Sequence, residues 1–113
     1  MARIAIYTQG IIDYCDTDNI TRIEVSLDYS VVYCTDREEL VVAKPLTFFE
    51  QKMGKYGFTR AHNRHLVNPM HVKRFLKQDG GKLIMTDDKE IPVSRRKKKV
   101  CISRLNKMVD EII

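Results

Sequence analysis

Ile20 to Tyr33 reads ITRIEVSLDYSVVY, and the spacing of its apolar residues decides the fold class. Ile23, Val25 and Leu27 alternate with polar neighbours, and Tyr29, Val31 and Tyr33 continue the alternation. A period of two belongs to a half-buried strand pair or to one bent strand, with Leu27-Asp28 marking the turn in the first case. Downstream, Glu38 to Ala43 (EELVVA) reads as a further strand. Lys44-Pro45 then opens LTFFEQKMG, a short helix near 46–53. Pro suits its first turn, Leu46, Phe49 and Met53 share a face with Phe48 just beside it, and Gly54 is placed to end it. Short apolar runs follow at Phe58 to Arg60, Leu66-Val67, Val72 to Leu76, Leu83 to Met85 and Glu90 to Val93, broken by Gly80-Gly81 and Asp87-Asp88 turns. This half reads as a meander of hairpins. Ile102, Leu105, Val109 and Ile112 recur at near-helical spacing, which predicts an amphipathic C-terminal helix near 102–112.

The chain has 113 residues, 43% hydrophobic and 31% charged, with few Gly and Pro. One globular core is expected, hence one domain over 1–113. No apolar run approaches the ~20 residues of a membrane span, and the apolar stretch at the start is too short for a secretory signal, so a cytoplasmic protein is expected. Cys15, Cys34 and Cys101 are odd in number and lack CxxC spacing, which argues for reduced, mostly buried thiols. Charge is divided unevenly. Met1 to Ala43 hold three basic and eight acidic residues, a net of −5, whereas Lys44 to Ile113 hold seventeen basic and seven acidic, a net of +10. A field so lopsided suits a polyanion, nucleic acid first and an anionic membrane second, with a solubilising lysine face as the plain alternative.

Two polar clusters interrupt the apolar scaffold: Arg60-Ala61-His62-Asn63-Arg64-His65, and Ser94-Arg95-Arg96-Lys97-Lys98-Lys99. Both fall where strands give way to loops, where recognition residues are aimed without disturbing a core. Arg forks onto guanine O6 and N7, Asn pairs with adenine bidentately, and Lys or Arg clamps phosphate. Such clusters read bases as well as hold the backbone.

FTRAHNRHLVNP followed by IPVSRRKKKV, with ITRIEVSLDYSVVY upstream and a helix after VVAKPL, resembles the LytTR family of bacterial transcription regulators. The similar region spans about 19–100, leaving an N-terminal extension over 1–18 and the C-terminal helix over 101–113. The resemblance implies a mainly β, elongated domain of about ten short strands in successive small sheets. It implies loops that enter successive major grooves at promoter direct repeats, with duplex DNA as partner. It places base-reading roles on Asn63, Arg95 and, more loosely, Ser30. Backbone or supporting roles fall on Arg60, His62, Arg64, His65, Lys44, Arg96, Lys97 and Lys98. Arg64 stands where the family commonly has Ser, which points to a different preferred site.

Plain readings stand beside these. Arg60 and His62 occupy alternate strand positions and serve equally well in a core hydrogen bond, and the run from Arg96 to Lys99 is in a generic protein a solvated face. Asn68, before Pro69, reads as a turn residue that caps backbone groups. His62, His65 and His71 have no paired nucleophile or third metal ligand, so neither enzyme activity, small-molecule substrate, metal nor cofactor is expected. The alternative classes are an RNA-binding basic β-domain, for which Tyr56 and Phe58 are conceivable stacking platforms although both read as core anchors, and a protein-binding module. Many relatives carry an N-terminal phosphoacceptor receiver, for which the residues ahead of the similar region are too few. A stand-alone regulator or a fragment is therefore expected, acting as a homodimer through an edge strand at Arg3 to Ile12 or through the C-terminal helix.

Overall fold

Turn residues cut the alternating sequence into short pieces that pair with their neighbours. The structure is a computed structural model describing residues 2–113. It contains strands β1 (Arg3–Thr8), β2 (Ile11–Asp16), β3 (Ile20–Ser26), β4 (Tyr29–Cys34) and β5 (Leu40–Val42), and helix α1 (Leu46–Met53). Strands β6 (Thr59–His62), β7 (His65–Val67), β8 (Val72–Leu76), β9 (Lys82–Met85) and β10 (Glu90–Pro92) follow, then helix α2 (Lys98–Asn106). All pairing is antiparallel, in three sheets ordered β1-β2, β5-β4-β3-β7-β6 and β10-β9-β8. The body measures 46 × 30 × 24 Å, elongated as the mainly β reading expects.

The stretch from Ile20 to Tyr33 is a strand pair, β3 and β4, and its turn reverses the side-chain parity. Ser26 pairs with Tyr29, Val25 with Ser30 and Ile23 with Val32. A two-residue turn sets odd positions of one strand opposite even positions of the next, and paired residues share a face. The core side therefore carries Ile23 and Val25 on β3 but Ser30, Val32 and Cys34 on β4. Leu27, at the turn, has φ +54° and is 86% exposed.

Two cores flank the five-stranded sheet. On one face, Ile20, Ile23, Val32 and Leu66 pack against Leu46, Phe49 and Met53 of α1, with Ile6 and Cys15 from the first hairpin. On the other, Ala61 and Val67 pack against Leu83, Met85, Ile91 and Val93 of the third sheet and Cys101 of α2. Burying such side chains is worth about 1.5–3 kcal/mol each, and this joins the sheets into one body.

Three sequence expectations change. The segment Arg3 to Ile12 is not a single edge strand: Gly10, at φ +79°, turns the chain so that Arg3–Thr8 pairs with Ile11–Asp16 as a separate hairpin. The helix spans 46–53 with Gly54 at its C-cap, as the sequence expects; a tighter turn then runs through 54–56 and Gly57 at φ +92° closes it. The Gly57 N–H reaches the Gly54 carbonyl and the Phe58 N–H the Met53 carbonyl, a Schellman closure with Met53 and Phe58 both in the core. The C-terminal helix spans 98–106 rather than 102–112, because Cys101 is its buried anchor while Val109 and Ile112 are exposed. The third change concerns Ser30, which lies at the candidate site.

Candidate nucleic-acid interface

The register of the five-stranded sheet gathers several loops at one end. The β3–β4 turn (Leu27-Asp28), the exit of β5 (Ala43-Lys44) and the β6–β7 turn (Asn63-Arg64) all leave there. The opposite end holds the connections with Asp18, Asp36, Glu38 and Glu39. Sequence charge asymmetry thus becomes spatial asymmetry: acids collect at one end, and Lys44, Arg64 and the second basic cluster lie at or near the other.

Asn63 and Arg64 are the exposed two-residue turn between paired His62 and His65. A bulge precedes them, because Arg60 pairs with Leu66 and His62 with His65, leaving Ala61 as the extra residue. Bulges re-aim side chains and free a backbone group. Here the freed Ala61 carbonyl accepts the Ser94 N–H at 2.8 Å. That bond fastens the second basic loop to the β6–β7 hairpin. Arg95 and Arg96 follow Ser94, exposed in a turn closed by the Lys97 N–H on the Ser94 carbonyl at 3.0 Å.

Arg60 donates to the His62 carbonyl at 2.9 Å through Nε, to the Asn63 carbonyl at 2.7 Å through Nη2 and to Glu50 Oε1 at 2.6 Å through Nη1. Its side chain is only 14% exposed, so it supports the turn from within. Arg64 caps the neighbouring strand: its Nη2 donates to the Val25 carbonyl, and its own carbonyl accepts the Val25 N–H, both at 3.0 Å. His62 Nδ1 accepts the Arg64 N–H at 3.2 Å. His65 is turned sideways, its Nδ1 3.3 Å from Glu24 Oε1, at ion-pair distance without an aligned hydrogen bond. Burial pushes its pKa down, Glu24 pulling the other way. His62 thus braces the turn, while the buried His65 Nδ1 has no hydrogen-bond partner among the described residues.

Ser30 is fully buried, and its hydroxyl donates to the Lys44 carbonyl at 2.6 Å. The expectation that it reads bases is corrected: parity reversal at the β3–β4 turn puts it on the core side, where it ties β4 to the segment carrying Lys44. Lys44 itself is exposed, its Nζ 5.2 Å from the centre of the Phe48 ring.

Around the start of α2, Arg96, Lys97 and Arg104 line a concavity of about 210 Å³ with Thr59, Arg60, Glu50 and Val100. Residues 95–99 make no ion pair among the described residues. The first turn of α2 holds lysines and no acid, the reverse of what the helix dipole favours, at a cost of about 0.3–1 kcal/mol per charge that a bound anion would offset. Lys98 is half-buried, its stem passing close to Gly81. Sequence reasoning missed Glu50, Leu27 and Arg104. Leu27 was readable as a turn residue, whereas nothing local marks Glu50 or Arg104, which join the site only through the packing of α1 and α2.

This is a small β-domain with a basic surface built from strand-end loops. The profile of the LytTr DNA-binding domain family matches residues 12–106, and the chain belongs to that family. Membership supports DNA binding and transcription regulation, a non-enzymatic role, in general terms. Among solved structures, the chain is similar to the LytTr DNA-binding domain of a putative methyl-accepting/DNA response regulator from Bacillus cereus, with TM-score 0.78 and 19% identity over 93% of this chain and 97% of that one. At that identity the likeness concerns the fold. No curated protein matches the sequence. No helix among the described residues is long and apolar enough to cross a membrane.

Proposed function

We propose that this domain reads duplex DNA sequence-specifically, at promoter direct repeats, with Asn63 and Arg95 as the base-contacting residues. The observation that carries the reading is the Ser94 N–H to Ala61 carbonyl bond, which couples the two exposed loops. Asn63 is suited to adenine and Arg95 to guanine, each worth about 1–3 kcal/mol of discrimination. Arg64, Arg96, Lys97, Lys98 and Lys44 hold phosphates. With Ser30 buried, the third contact passes to the Leu27-Asp28 turn, which offers an apolar tip for a thymine methyl and a carboxylate for a cytosine amine.

Two copies would occupy one promoter. The outward face of the first hairpin, with Tyr7, Ile12 and Tyr14 exposed, is the surface we assign to homodimer contact. β1 lies outside the family match. Molar mass with and without DNA, before and after Tyr7→Ser with Tyr14→Ser, checks this; unchanged assembly on DNA rules the hairpin out.

Selection of sites from random duplexes, followed by competition, tests the reading of DNA. Asn63→Ala and Arg95→Ala should each weaken the preferred site about 5- to 150-fold and relax preference at one base, leaving most of the salt dependence in place. Unchanged site ranking in both variants would refute the reading head. Tighter binding to a hairpin RNA than to any duplex would favour the RNA class instead.

A further inference from the structure

We infer that Glu50 and Arg60 form a positioning clamp for the reading turn, so that Glu50, an acid on α1 in a basic surface, determines specificity without touching DNA. The inference rests on the DNA-reading role of Asn63. Arg60 spends its guanidinium on three acceptors, the His62 and Asn63 carbonyls and Glu50 Oε1, at 2.9, 2.7 and 2.6 Å. Two of them are consecutive carbonyls at the start of the turn that presents Asn63. A planar fork bonded at both nitrogens and Nε fixes those peptide planes, and with them the direction of the Asn63 side chain. Glu50 holds the fork in place from α1, whose buried stripe of Leu46, Phe49 and Met53 anchors it to the core. The Ala61 bulge makes the clamp necessary, because it breaks the ladder next to the turn and removes the pairing that would otherwise hold the strand.

The clamp gives Glu50 a sign opposite to that of a simple field effect. A carboxylate beside a polyanion repels it, so removing the charge should tighten binding to every sequence. If Glu50 positions the turn, Glu50→Ala tightens competitor DNA yet lowers the ratio of preferred-site to competitor affinity. Glu50→Gln, which still accepts from Arg60, keeps that ratio.

The test measures dissociation constants for the preferred duplex and a scrambled duplex across salt, for the wild type and for Glu50→Ala, Glu50→Gln, Arg60→Lys and Arg60→Ala/Asn63→Ala. Arg60→Lys keeps the charge but not the fork. It should lose about ten-fold in discrimination, with the salt slope and scrambled-site affinity unchanged. Arg60→Ala should add little discrimination loss to Asn63→Ala, because both act through one side chain. Full discrimination in Arg60→Lys, or a uniform loss in Arg60→Ala with the salt slope falling by about 0.9, would make Arg60 a phosphate contact and overturn the clamp. So would unchanged discrimination in Glu50→Ala. Amide exchange at residues 62–65 of the free protein separates this from failure of the DNA reading: exchange there in Arg60→Lys that speeds up beyond any change in the core amides of β3 supports the clamp whatever the wild type binds, and exchange that rises no more than theirs refutes it.

Discussion

Asn68→Ala should be among the most damaging single truncations of a polar side chain in this domain. Asn68 is 4% exposed at the acidic end of the sheet. Its Nδ2 donates to the Thr17 and Ile20 carbonyls at 3.1 and 2.9 Å, and its Oδ1 accepts the Met70 N–H at 3.1 Å. One amide thereby fastens the link from the first hairpin, the start of β3 and the turn into the third sheet. Each lost bond costs about 1 kcal/mol net, so the truncation should cost about 3 kcal/mol. That is a large share of the roughly 5–15 kcal/mol that holds a domain together. In urea followed by far-ultraviolet circular dichroism, the midpoint should fall by about 1.5 M with unchanged slope, for a slope of ~2 kcal/mol per M. Asn68→Asp keeps the acceptor but turns a carboxylate toward two carbonyls. It should be worse at neutral pH and recover partly below pH ~4, where the acid regains a donor. A loss under about 1 kcal/mol in both variants would mean that water replaces the amide at Thr17 and Ile20, and the fastening role would fall. Variants still folded in the cold should keep the wild-type DNA preference, since Asn68 is remote from the reading end.

Burial holds the pKa of His65 below its ordinary 6.5, so the folded state binds its proton less readily than the unfolded chain. Its stabilising effect is complete above pH 6.5 and is lost as pH falls through the folded value; the drop in urea midpoint from pH 7.5 to 5.5 should be smaller in His65→Gln, and equal drops refute this. Leu27→Gly removes an 86% exposed side chain and relieves a positive φ. The relief of about 1–2 kcal/mol outweighs or balances glycine's entropy, so the urea midpoint should hold or rise, and a fall of more than about 1 kcal/mol counts against strain at that turn. Burial pushes the Cys34 thiol up to about 11, with Cys15 adding to it, and raises Cys15 and Cys101 as well. Iodoacetamide at pH 8 should label all three only after unfolding, and prompt labelling of any one in the folded protein would contradict this.

Local chemistry made most of the fold readable. The alternation in β3, the Leu46-Phe49-Met53 stripe, and the turns at Gly80-Gly81 and Asp87-Asp88 all rest on contacts within a few residues. What failed needed longer-range information. The resemblance puts a base-reading role on Ser30, but which side of the sheet that position faces depends on the β3–β4 turn, which reverses side-chain parity. The C-terminal helix was read from an apolar stripe, whereas its start lies in the lysine run before Cys101, whose burial depends on the third sheet. The same holds at the site. Exposed Asn63, Arg64 and Arg95 were legible as loop residues between strands, but the division of labour between them and Arg60 was not. Arg60 and Arg64 differ only in where their carbonyl and carboxylate partners lie, and those partners belong to α1 and β3.

The proposed recognition by loops rather than by an inserted helix fits the way such short strands are stabilised. Strands of three to seven residues hold few ladder bonds each, so the ends of the sheets need fastening from outside. At the acidic end Asn68 fastens the backbone without charge. At the other end the fastening uses arginines, Arg60 across the bulge with its charge matched by Glu50, and Arg64 on the Val25 carbonyl with no acid against it among the described residues, so that Arg64 leaves the end positive even while internally bonded. The residues that stabilise the reading end therefore also attract a polyanion to it, while Asp36, Glu38 and Glu39 repel one from the opposite end. A domain charged in this way approaches DNA already oriented. On the proposed reading, Asn63 and Arg95 would then need to discriminate bases only, with orientation set by the field and direction by the inferred clamp.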